Sequence, residues 1–380
     1  MTRVALILYT SGLDYDDRIR KEILTIQTLF PDVQFKIFAV VPENKEESGV
    51  TSYGVPYRIP YLHSRDKYAS GTKTLAKAYD LYKTIKGELE EFDIIWCADI
   101  ETFIFTLLIK NKPIIWDLHE LPMPLMRNFA TKMILKLAER KCVALVHANQ
   151  ARIDHLFSVG AFRDRHKHFV LNNFPSFNEI DSEYDELYER FISWKGDSLC
   201  VYLQGLNGAA RADKESIQAV MTIPGLKAVV VGGFTDTTKE NLYQMYGEEF
   251  VNRIFFTGKI KQLKTSQYIK ACVASLVFYK NTSPNNYYCE PNRMYQNVVN
   301  SNPIIVGNNP PMRDFVEKWE CGVVVDTDGS DVQQIVEGLR NVLQKHNEYQ
   351  HKASSAAPYI LWNSQDEAIK TIFLRGLNNY

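Results

Sequence analysis

Short apolar runs alternate along the chain with segments whose apolar residues recur at helical spacing. The chain opens with apolar runs over 4–9 and 35–41 and a helical segment over 17–30 between them. Asp16 and Asp17 stand at the start of this segment, where carboxylates suit the helix dipole. Its apolar stripe, which would pack on a sheet, consists of Ile19, Ile23, Ile26 and Phe30. The pattern predicts a βαβ opening.

The same alternation continues through the chain, with a helix predicted near 72–91. Further strands are predicted over 93–98, 113–117, 142–147 and 168–171 in the first half, and over 199–203, 228–231, 254–257, 274–279, 303–306 and 322–325 in the second. Several of these runs are apolar throughout, which is typical of parallel strands that helices cover on both faces. The sequence therefore predicts an α/β fold with two Rossmann-like, doubly wound domains.

The stretch 174–196 interrupts the alternation, because it is acidic and aromatic and includes a glycine near its end. We therefore predict a first domain over 1–174, a linker over 175–196 and a second domain over 197–362. A last helical segment follows after the second sheet is complete, and we expect residues 363–380 to cross back to the first domain. The length of 380 residues is consistent with two domains.

The composition narrows the classes of partner. With 44 Lys and Arg against 45 Asp and Glu, the net charge is -1, which argues against a general attraction to nucleic acid. The N-terminus lacks the layout of a signal peptide, and no apolar run reaches the roughly 18 residues that span a bilayer. We therefore expect a cytoplasmic protein. The six cysteines are never closer than 17 residues, so no C-x-x-C metal or redox pair occurs.

Open parallel sheets bind ligands beyond the carboxyl ends of their strands, so the loops after the strands are the candidate sites. The loop 10–17 is polar and leads into a helix whose free N–H groups suit an anion; an ordinary turn with capping aspartates is the alternative. The segment 116–122 ends an apolar strand with Asp117, His119 and Glu120, groups that donate or accept protons. A structural histidine is the alternative for that segment.

Two loops of the second domain suit a diphosphate. The loop 204–211 has two glycines, which permit close backbone approach, and one cation, Arg211. It is not a G-x-G-x-x-G sequence, so it gives little support to a dehydrogenase. In the segment 285–296, Pro291 fits the first turn of a helix. The amino end of that helix would present free amides beside Arg293; a capped surface helix is the alternative.

The stretch 123–141 is both apolar and basic, as helices that lie on membranes are. One interpretation is peripheral contact with the inner face of a membrane. The alternative is a helix packed on the sheet, with its lysines in solvent. The sequence leaves both interpretations open.

The segment 291–296 resembles a motif of glycosyltransferase family four, a family of retaining glycosyltransferases with the GT-B fold. The family pattern Pro-Asn-Lys-Leu-Phe-Glu reads here Pro-Asn-Arg-Met-Tyr-Gln, and Pro303 follows at the family's spacing before a strand. Other segments that resemble family motifs are 16–19, 116–120, 172–175 and 362–364. The resemblance covers nearly the whole chain and implies two Rossmann-like domains that face a cleft.

The resemblance also implies roles for individual residues. Arg211 would contact the donor diphosphate, the helix at 291–296 would cradle phosphates and ribose, and His119 would touch the transferred sugar or the acceptor. The implied catalytic residues are His119, Arg211 and Glu290. The implied donor-binding residues are Gly12, Gly205, Arg211, Lys259, Glu290, Asn292, Arg293 and Gln296. The implied acceptor-binding residues are Asp16, His119 and Glu120.

The chain departs from the family at two positions. Tyr288 and Gln296 stand where the family has a pair of glutamates, the second of which contacts the ribose. An amide still accepts a hydrogen bond from a hydroxyl, but without the added strength that a carboxylate gives. Glu290, two residues from Tyr288, could take the place of the first glutamate.

The function that the resemblance implies is transfer of a hexose from a nucleoside diphosphate sugar to a hydroxyl of a glycan or lipid-linked saccharide. The configuration at the sugar would be retained, the pathway would be surface polysaccharide synthesis, and neither a metal nor a further cofactor would be needed. Two alternatives keep the architecture: a sugar-nucleotide-binding protein with weakened catalysis, and a sugar-nucleotide epimerase. A solute receptor with two α/β lobes is disfavoured because a signal peptide is lacking.

Overall fold

The computed structural model describes residues 1–69, 72–176, 185–205 and 208–378. The chain divides into two compact units: unit 1 is Met1–Asn172 with Gln365–Tyr380, and unit 2 is Asn173–Ser364. Part of the predicted linker 175–196 forms a helix that belongs to unit 2. Another part, 177–184, lies outside the described residues.

Unit 1 contains an eight-stranded sheet among its described residues. The strands are β1 (Thr2–Tyr9), β2 (Val33–Val40), β3 (Glu47–Val50), β4 (Pro56–Ile59), β5 (Ile94–Ala98), β6 (Ile114–Leu118), β7 (Cys142–His147) and β8 (His168–Val170). Their order is β3-β4-β2-β1-β5-β6-β7-β8, and neighbouring strands are parallel except β3 and β4. The helices that precede unit 2 are α1 (Asp17–Leu29), α2 (His63–Lys67), α3 (Thr74–Leu89), α4 (Phe103–Leu108), α5 (Phe129–Lys141) and α6 (Gln150–Ser158).

The local sequence explains why these elements form. Every residue of β5 and β6 is buried, as expected for inner parallel strands. Helix α1 begins after Asp16, whose side chain accepts a hydrogen bond from the backbone N–H of Ile19. Its apolar stripe is buried, and it includes Ile19, Ile23 and Ile26.

Unit 2 contains a six-stranded parallel sheet among its described residues. The strands are β9 (Cys200–Gln204), β10 (Lys227–Val231), β11 (Ile254–Gly258), β12 (Ala274–Val277), β13 (Ile304–Val306) and β14 (Gly322–Val324), in the order β11-β10-β9-β12-β13-β14. The helices are α7 (Glu186–Lys195), α8 (Asp213–Thr222), α9 (Asp236–Tyr246), α10 (Glu248–Arg253), α11 (Thr265–Lys270), α12 (Pro284–Tyr287), α13 (Asn292–Val299), α14 (Pro310–Trp319), α15 (Val332–Gln344) and α16 (His346–Ala356). The predicted fold class, with two Rossmann-like units, is confirmed.

The strand order reverses once in each unit. In unit 1, β1 lies between β2 and β5, and in unit 2, β9 lies between β10 and β12. At such a reversal the loops that leave the neighbouring strands diverge and leave a crevice at the carboxyl edge of the sheet. The loops after β1 and β5 in unit 1, and after β9 and β12 in unit 2, are therefore the candidate ligand sites.

The final helix, α17 (Asp366–Leu377), packs on unit 1. It buries Ile369, Ile372 and Phe373, and the ring of Phe373 lies 5.0 Å from that of Phe30 after α1. Gly376 permits close contact with the sheet, because a Cβ there would lie 3.0 Å from the Cδ1 of Ile94. The helix therefore completes the core of unit 1.

The chain passes between the units at two places, and hydrogen bonds link the outgoing and returning segments there. In unit 1, the backbone N–H of Asn172 donates to Oε1 of Gln365 at 2.7 Å, and Nε2 of Gln365 donates to the carbonyl of Asn172 at 2.9 Å. In unit 2, the backbone N–H of Trp362 donates to the carbonyl of Pro175 at 2.8 Å. The outgoing and returning segments therefore run side by side.

None of the helices within the described ranges is both long enough and apolar enough to cross a bilayer.

Candidate functional site

The first loop of unit 2 places Arg211 at the carboxyl end of β9. Gly205 follows that strand with φ 61°, a left-handed conformation that favours glycine. Arg211 is the last residue of the short 3-10 turn Ala209–Arg211. Its Nη1 donates a hydrogen bond of 2.7 Å to the carbonyl of Gly205. The carbonyl of Ala210 in this turn accepts a 2.8 Å hydrogen bond from the backbone N–H of Lys280. The loop after β12 thus holds the loop after β9.

Arg293, in the first turn of α13, joins the ends of the same two strands. Its Nη1 donates to the carbonyl of Gln204 at the end of β9, and its Nη2 donates to the carbonyl of Phe278 after β12 at 2.9 Å. The residue is 6% exposed. Burial, together with the charge of Arg211, lowers the pKa of the Arg293 guanidinium. The sheet therefore holds a desolvated cation at its carboxyl edge.

The guanidinium groups of Arg211 and Arg293 both lie against the ring of Tyr279. The Cζ atoms of Arg211 and Arg293 lie 5.4 and 5.0 Å from the ring centroid, within the range of cation–π contacts. Within the described part of the chain, neither arginine forms a salt bridge with a carboxylate. Two cations that share one ring without a counter-charge make this place a candidate site for an anion. We call Arg211, Arg293 and Tyr279 the arginine pair site.

Helix α13 contributes its amino end to the same edge. Pro291 is the residue before the helix, and no side chain caps the first turn. Asn292, the first helical residue, is exposed, and Glu290 before it is half-buried. Gln296 lies one turn into the helix and is 4% exposed. Backbone N–H groups at this end would add to the positive potential of the arginine pair site.

Lys259 directly follows the edge strand β11, and its side chain is exposed. The ends of the three neighbouring strands are linked, because the N–H of Gly232 donates to the carbonyl of Gly258 at 2.9 Å and the N–H of Gly205 donates to the carbonyl of Val231 at 2.9 Å. The role of Lys259 in donor binding stays a prediction.

The site of unit 1 is a buried charge network around Asp117 at the end of β6. Arg18 on α1 grips both carboxylate oxygens, with Nε at 3.0 Å and Nη2 at 2.9 Å, and its Nη1 donates to the carbonyl of Leu171 at 2.7 Å. Burial opposes ionisation of Asp117, but the charges of Arg18 and His119 outweigh it and hold the pKa of that carboxyl far below its usual range. Glu22 lies 3.0 Å from Arg18 Nε, and burial and Asp117 raise its pKa.

His119 is held by carboxylates at both ring nitrogens. Nε2 lies 2.9 Å from Oδ2 of Asp117, and Nδ1 lies 3.2 Å from Oδ2 of Asp99. Its carbonyl accepts a hydrogen bond from Arg152. Burial works against a charge on the imidazole, but Asp117 and Asp99 outweigh burial and raise the pKa of His119 well above its usual value. The two carboxylates therefore favour the charged imidazolium, whose N–H groups both point to carboxylates, and leave no ring nitrogen to act as a base.

Asp99 is held in a strained conformation next to His119. Its φ is 62°, in the left-handed region that a non-glycine residue rarely adopts. Three contacts hold it there: its N–H donates to the carbonyl of Asp117 at 2.7 Å, its Oδ1 accepts from the N–H of His119 at 3.1 Å, and its carbonyl accepts from Trp116 Nε1 at 2.9 Å. In this conformation the carboxylate of Asp99 reaches the second ring nitrogen of His119.

The other sequence-predicted residues of unit 1 lie in the loops after β1 and β6. Asp16 caps α1 with a 3.5 Å contact to the N–H of Ile19, and burial raises the pKa of its carboxyl, although the charge of His119 opposes this. Gly12 lies in a turn in which its N–H donates to the hydroxyl of Thr10 at 3.3 Å. Glu120 is exposed beyond the end of β6. Of the acceptor residues expected from the sequence, His119 lies inside the buried network and Asp16 interacts with it electrostatically.

Sequence reasoning missed four residues that build these sites: Arg18, Glu22, Asp99 and Tyr279. A signal for the first two was present, since they fall at i and i+4 beside the apolar stripe of α1. A charged pair beside a buried stripe requires partners inside the protein. Asp99 directly follows β5 and Tyr279 lies two residues after β12, in the loops where site residues often lie. Among the residues that the structure describes, no cluster of three His, Cys, Asp or Glu could hold a metal ion.

The two doubly wound units belong to the GT-B class of fold, and solved structures support this assignment. No protein-family model and no curated protein matches the chain. A sucrose-phosphate synthase from Thermosynechococcus elongatus is similar over 100% of both chains, with 12% identity and a TM-score of 0.80. Anabaena HepE, solved with UDP-glucose, has 13% identity and a TM-score of 0.72 over 98% of this chain and 99% of its own.

A third similar structure is a UDP-forming trehalose-phosphate synthase from Burkholderia xenovorans, with 13% identity and a TM-score of 0.70 over 100% of this chain and 99% of its own. At these identities the likeness shows the fold. Membership of glycosyltransferase family four stays a prediction.

Proposed function

We propose that the chain is a retaining glycosyltransferase of family four type, which transfers a hexose from a nucleoside diphosphate sugar to a hydroxyl of a glycan or lipid-linked saccharide. The arginine pair site carries the proposal: Arg211 and Arg293 lie at the strand reversal of unit 2 without a carboxylate partner. The fold-related proteins named above support a uridine nucleotide, since HepE was solved with UDP-glucose. We propose that the protein acts in surface polysaccharide synthesis and that it is located in the cytoplasm.

The arginine pair site supplies the chemistry that the leaving group needs. As the bond between the sugar C1 and the phosphate oxygen breaks, its electron pair moves to the diphosphate, whose charge grows. The guanidinium groups and the amino end of α13 stabilise that charge more in the transition state than in the ground state. Because these groups supply positive charge themselves, the reaction as proposed requires no metal.

In this proposal the exposed edge of the His119 ring contacts the transferred sugar or the acceptor, and the ring does not act as a base. Asp117 and Asp99 occupy both of its ring nitrogens, so the acceptor proton goes elsewhere. The acceptor oxygen forms a bond to C1 on the face that the leaving group vacates, and its proton passes to the departing phosphate oxygen. Atoms and charge balance without a protein base, and the configuration at C1 is retained.

A nucleotide-binding experiment tests the donor site. Melting temperature is measured with UDP, GDP, dTDP and CMP, because a ligand that binds only the folded protein raises it by mass action. We expect UDP to give the largest shift and Arg211→Ala to weaken UDP binding at least about tenfold. Arg340→Ala, which removes an exposed arginine from α15, is the matched control and should bind UDP normally. A chain indifferent to all four nucleotides would contradict the proposal.

Product analysis separates transfer from its alternatives. UDP-glucose is incubated with and without a saccharide extract, and both UDP and sugar are followed. Release of UDP together with a glycosylated product supports transfer. A changed nucleotide sugar without free UDP identifies an epimerase, and tight binding with neither product identifies a binding protein.

We also propose peripheral membrane contact through 123–141. Helix α5 packs Leu135 and Ala138 inward, whereas Phe129 is 77% and Leu137 47% exposed. Lys141 is exposed at the end of the same helix. Apolar and basic side chains on one outward face suit a surface of anionic lipid. A flotation experiment with vesicles that contain anionic lipid tests this contact. The vesicles should carry the protein upward, and Phe129→Ser should reduce the amount that floats. A protein that stays at the bottom of the gradient would exclude the contact.

A further inference from the structure

A cavity opens in unit 1 at the carboxyl ends of β1 and β2, and the loop 10–17 singled out in the sequence contributes only its first two residues to the lining. Its volume is about 430 Å³, within the range of small-molecule sites. Tyr9 and Thr10 line it from β1 and the following loop, and Arg65, Lys77 and Glu101 line it from three other segments. The cavity therefore lies beside the strand reversal of the unit 1 sheet, where ligands bind in this class of fold.

Two cations line this cavity without carboxylate partners. Arg65 donates to the carbonyls of Val41 and Pro42 at 2.6 and 2.5 Å, and Lys77 donates to the carbonyl of Ala69 at 2.7 Å. Neither forms a salt bridge in the described ranges, although many exposed lysines and arginines of unit 1 do. Carbonyl oxygens hold the side chains in place but leave their charges uncompensated. The cavity therefore has two positioned charges to offer an anion.

The polar groups beside the cations suit an oxygen-rich ligand. The hydroxyl of Tyr9 is buried with no hydrogen-bond partner among the described residues. Burial, and after it the charge of Glu101, raises the pKa of Tyr9, so the hydroxyl stays a donor. Burial also raises the pKa of Glu101, which lines the same cavity. A buried hydroxyl without a partner is costly and is satisfied when a ligand oxygen accepts from it.

We propose that this cavity binds the anionic group of the acceptor, so that the acceptor is a saccharide carrying a phosphate ester or a carboxylate. The inference rests on the proposed glycosyl transfer and specifies its acceptor class. Arg65 and Lys77 hold the anion and Tyr9 donates to the saccharide. Glu101 interacts electrostatically with both Tyr9 and His119, which places the cavity beside the buried charge network.

Calorimetry on the full chain tests the inference. Glucose 6-phosphate, glucuronate and glucose are titrated with UDP present at saturation, so that the arginine pair site is occupied and cannot take the anion. We expect one of the two anionic sugars to bind at least about tenfold more tightly than glucose, and the preference to weaken as salt is raised. The better anion distinguishes a phosphate ester from a carboxylate.

Helix α3 offers a matched pair of variants. Lys77→Gln removes the cavity charge, and Lys86→Gln removes an exposed lysine from the same helix outside the cavity. We expect Lys77→Gln to weaken anionic-sugar binding about tenfold and to leave UDP binding unchanged. Lys86→Gln should change neither. Equal binding of all three sugars, or equal effects of the two variants, would overturn the inference.

The two proposals fail in different ways. If UDP binds and sugar is transferred to uncharged acceptors only, the cavity inference is wrong and the proposed function stands. If UDP neither binds nor is released from UDP-glucose, the proposed function itself fails.

Discussion

Gly205 is the residue whose side chain, if it had one, would collide with the arginine pair site. A Cβ at this position would lie 2.9 Å from Nη1 of Arg211 and 4.0 Å from Nη1 of Arg293. Gly208, in the same loop, also has a left-handed φ, 89°, but a Cβ there would meet no atom within 4 Å. An alanine at either position would strain the backbone, but only an alanine at Gly205 would also displace the guanidinium of Arg211. Comparing the two substitutions therefore distinguishes the two effects.

We expect Gly205→Ala and Gly208→Ala to lower the free energy of unfolding by similar amounts, about 1–2 kcal/mol, because both force alanine into the left-handed region. Gly205→Ala should in addition weaken UDP binding about tenfold, since Arg211 must move. Urea unfolding and UDP titration of both variants measure the two effects. Equal affinity of the variants for UDP would show that the guanidinium position does not matter.

The protonation of His119 should make the free energy of unfolding depend on pH. Its pKa is raised in the folded protein, so its stabilising contribution is complete below the unfolded value of about 6.5 and is lost as pH rises through the folded value. We expect the free energy of unfolding to fall above pH ~6.5, and His119→Asn to remove that part of the slope. Urea unfolding across this range measures it. NMR titration of the imidazole, with a lower midpoint in Asp99→Asn, checks the assignment.

The meeting of site residues could not be predicted from residue patterns alone. Arg211 and Arg293 were each singled out by their loops, but their meeting over Tyr279 depends on β9 and β12 being neighbours. Arg18 and Asp117 likewise meet although they lie 99 residues apart along the chain, because the first turn of α1 lies near the carboxyl end of β6. Periodicity shows which face of an element is buried, whereas contacts between distant elements depend on strand order.

At the scale of elements, sequence periodicity predicted the apolar parallel strands and missed those with little apolar pattern. The antiparallel pair β3 and β4 was not predicted, since three residues of β3 are exposed and their polar pattern is that of a loop. Helix α7 was assigned to a linker. Its buried Phe191 packs against Tyr202 and Tyr268, so an aromatic segment that looked irregular belongs to the core of unit 2.

The last helix provides a test at the same scale. Phe373 of α17 is fully buried against the ring of Phe30. We expect Phe373→Ala to lower the free energy of unfolding of unit 1 by about 3–5 kcal/mol, because it removes a buried ring and leaves a cavity. Hydrogen exchange should show faster exchange in unit 1 and little change in unit 2. Thr371→Ala, at an exposed position of the same helix, is the control.

At the scale of the whole molecule, the proposed function requires side chains to compensate the charge of the leaving diphosphate. The described residues contain no cluster suited to a metal, whereas cations line both the arginine pair site and the cavity of unit 1. We expect EDTA to leave the rate of sugar transfer within about twofold of its untreated value, because arginines stabilise the leaving diphosphate. A rate that falls with EDTA and recovers with added magnesium would contradict the metal-free proposal.

The return of α17 to unit 1 makes the protein resistant to being split. Suppose one peptide bond were cut between Asn172 and Asn173, where the chain leaves unit 1. The longer fragment would still carry α17, whose Ile369, Ile372 and Phe373 are buried in the shorter fragment's core. The nicked pieces should therefore migrate together in gel filtration and come apart only in denaturant. Two separately expressed fragments should likewise reconstitute the uncut protein.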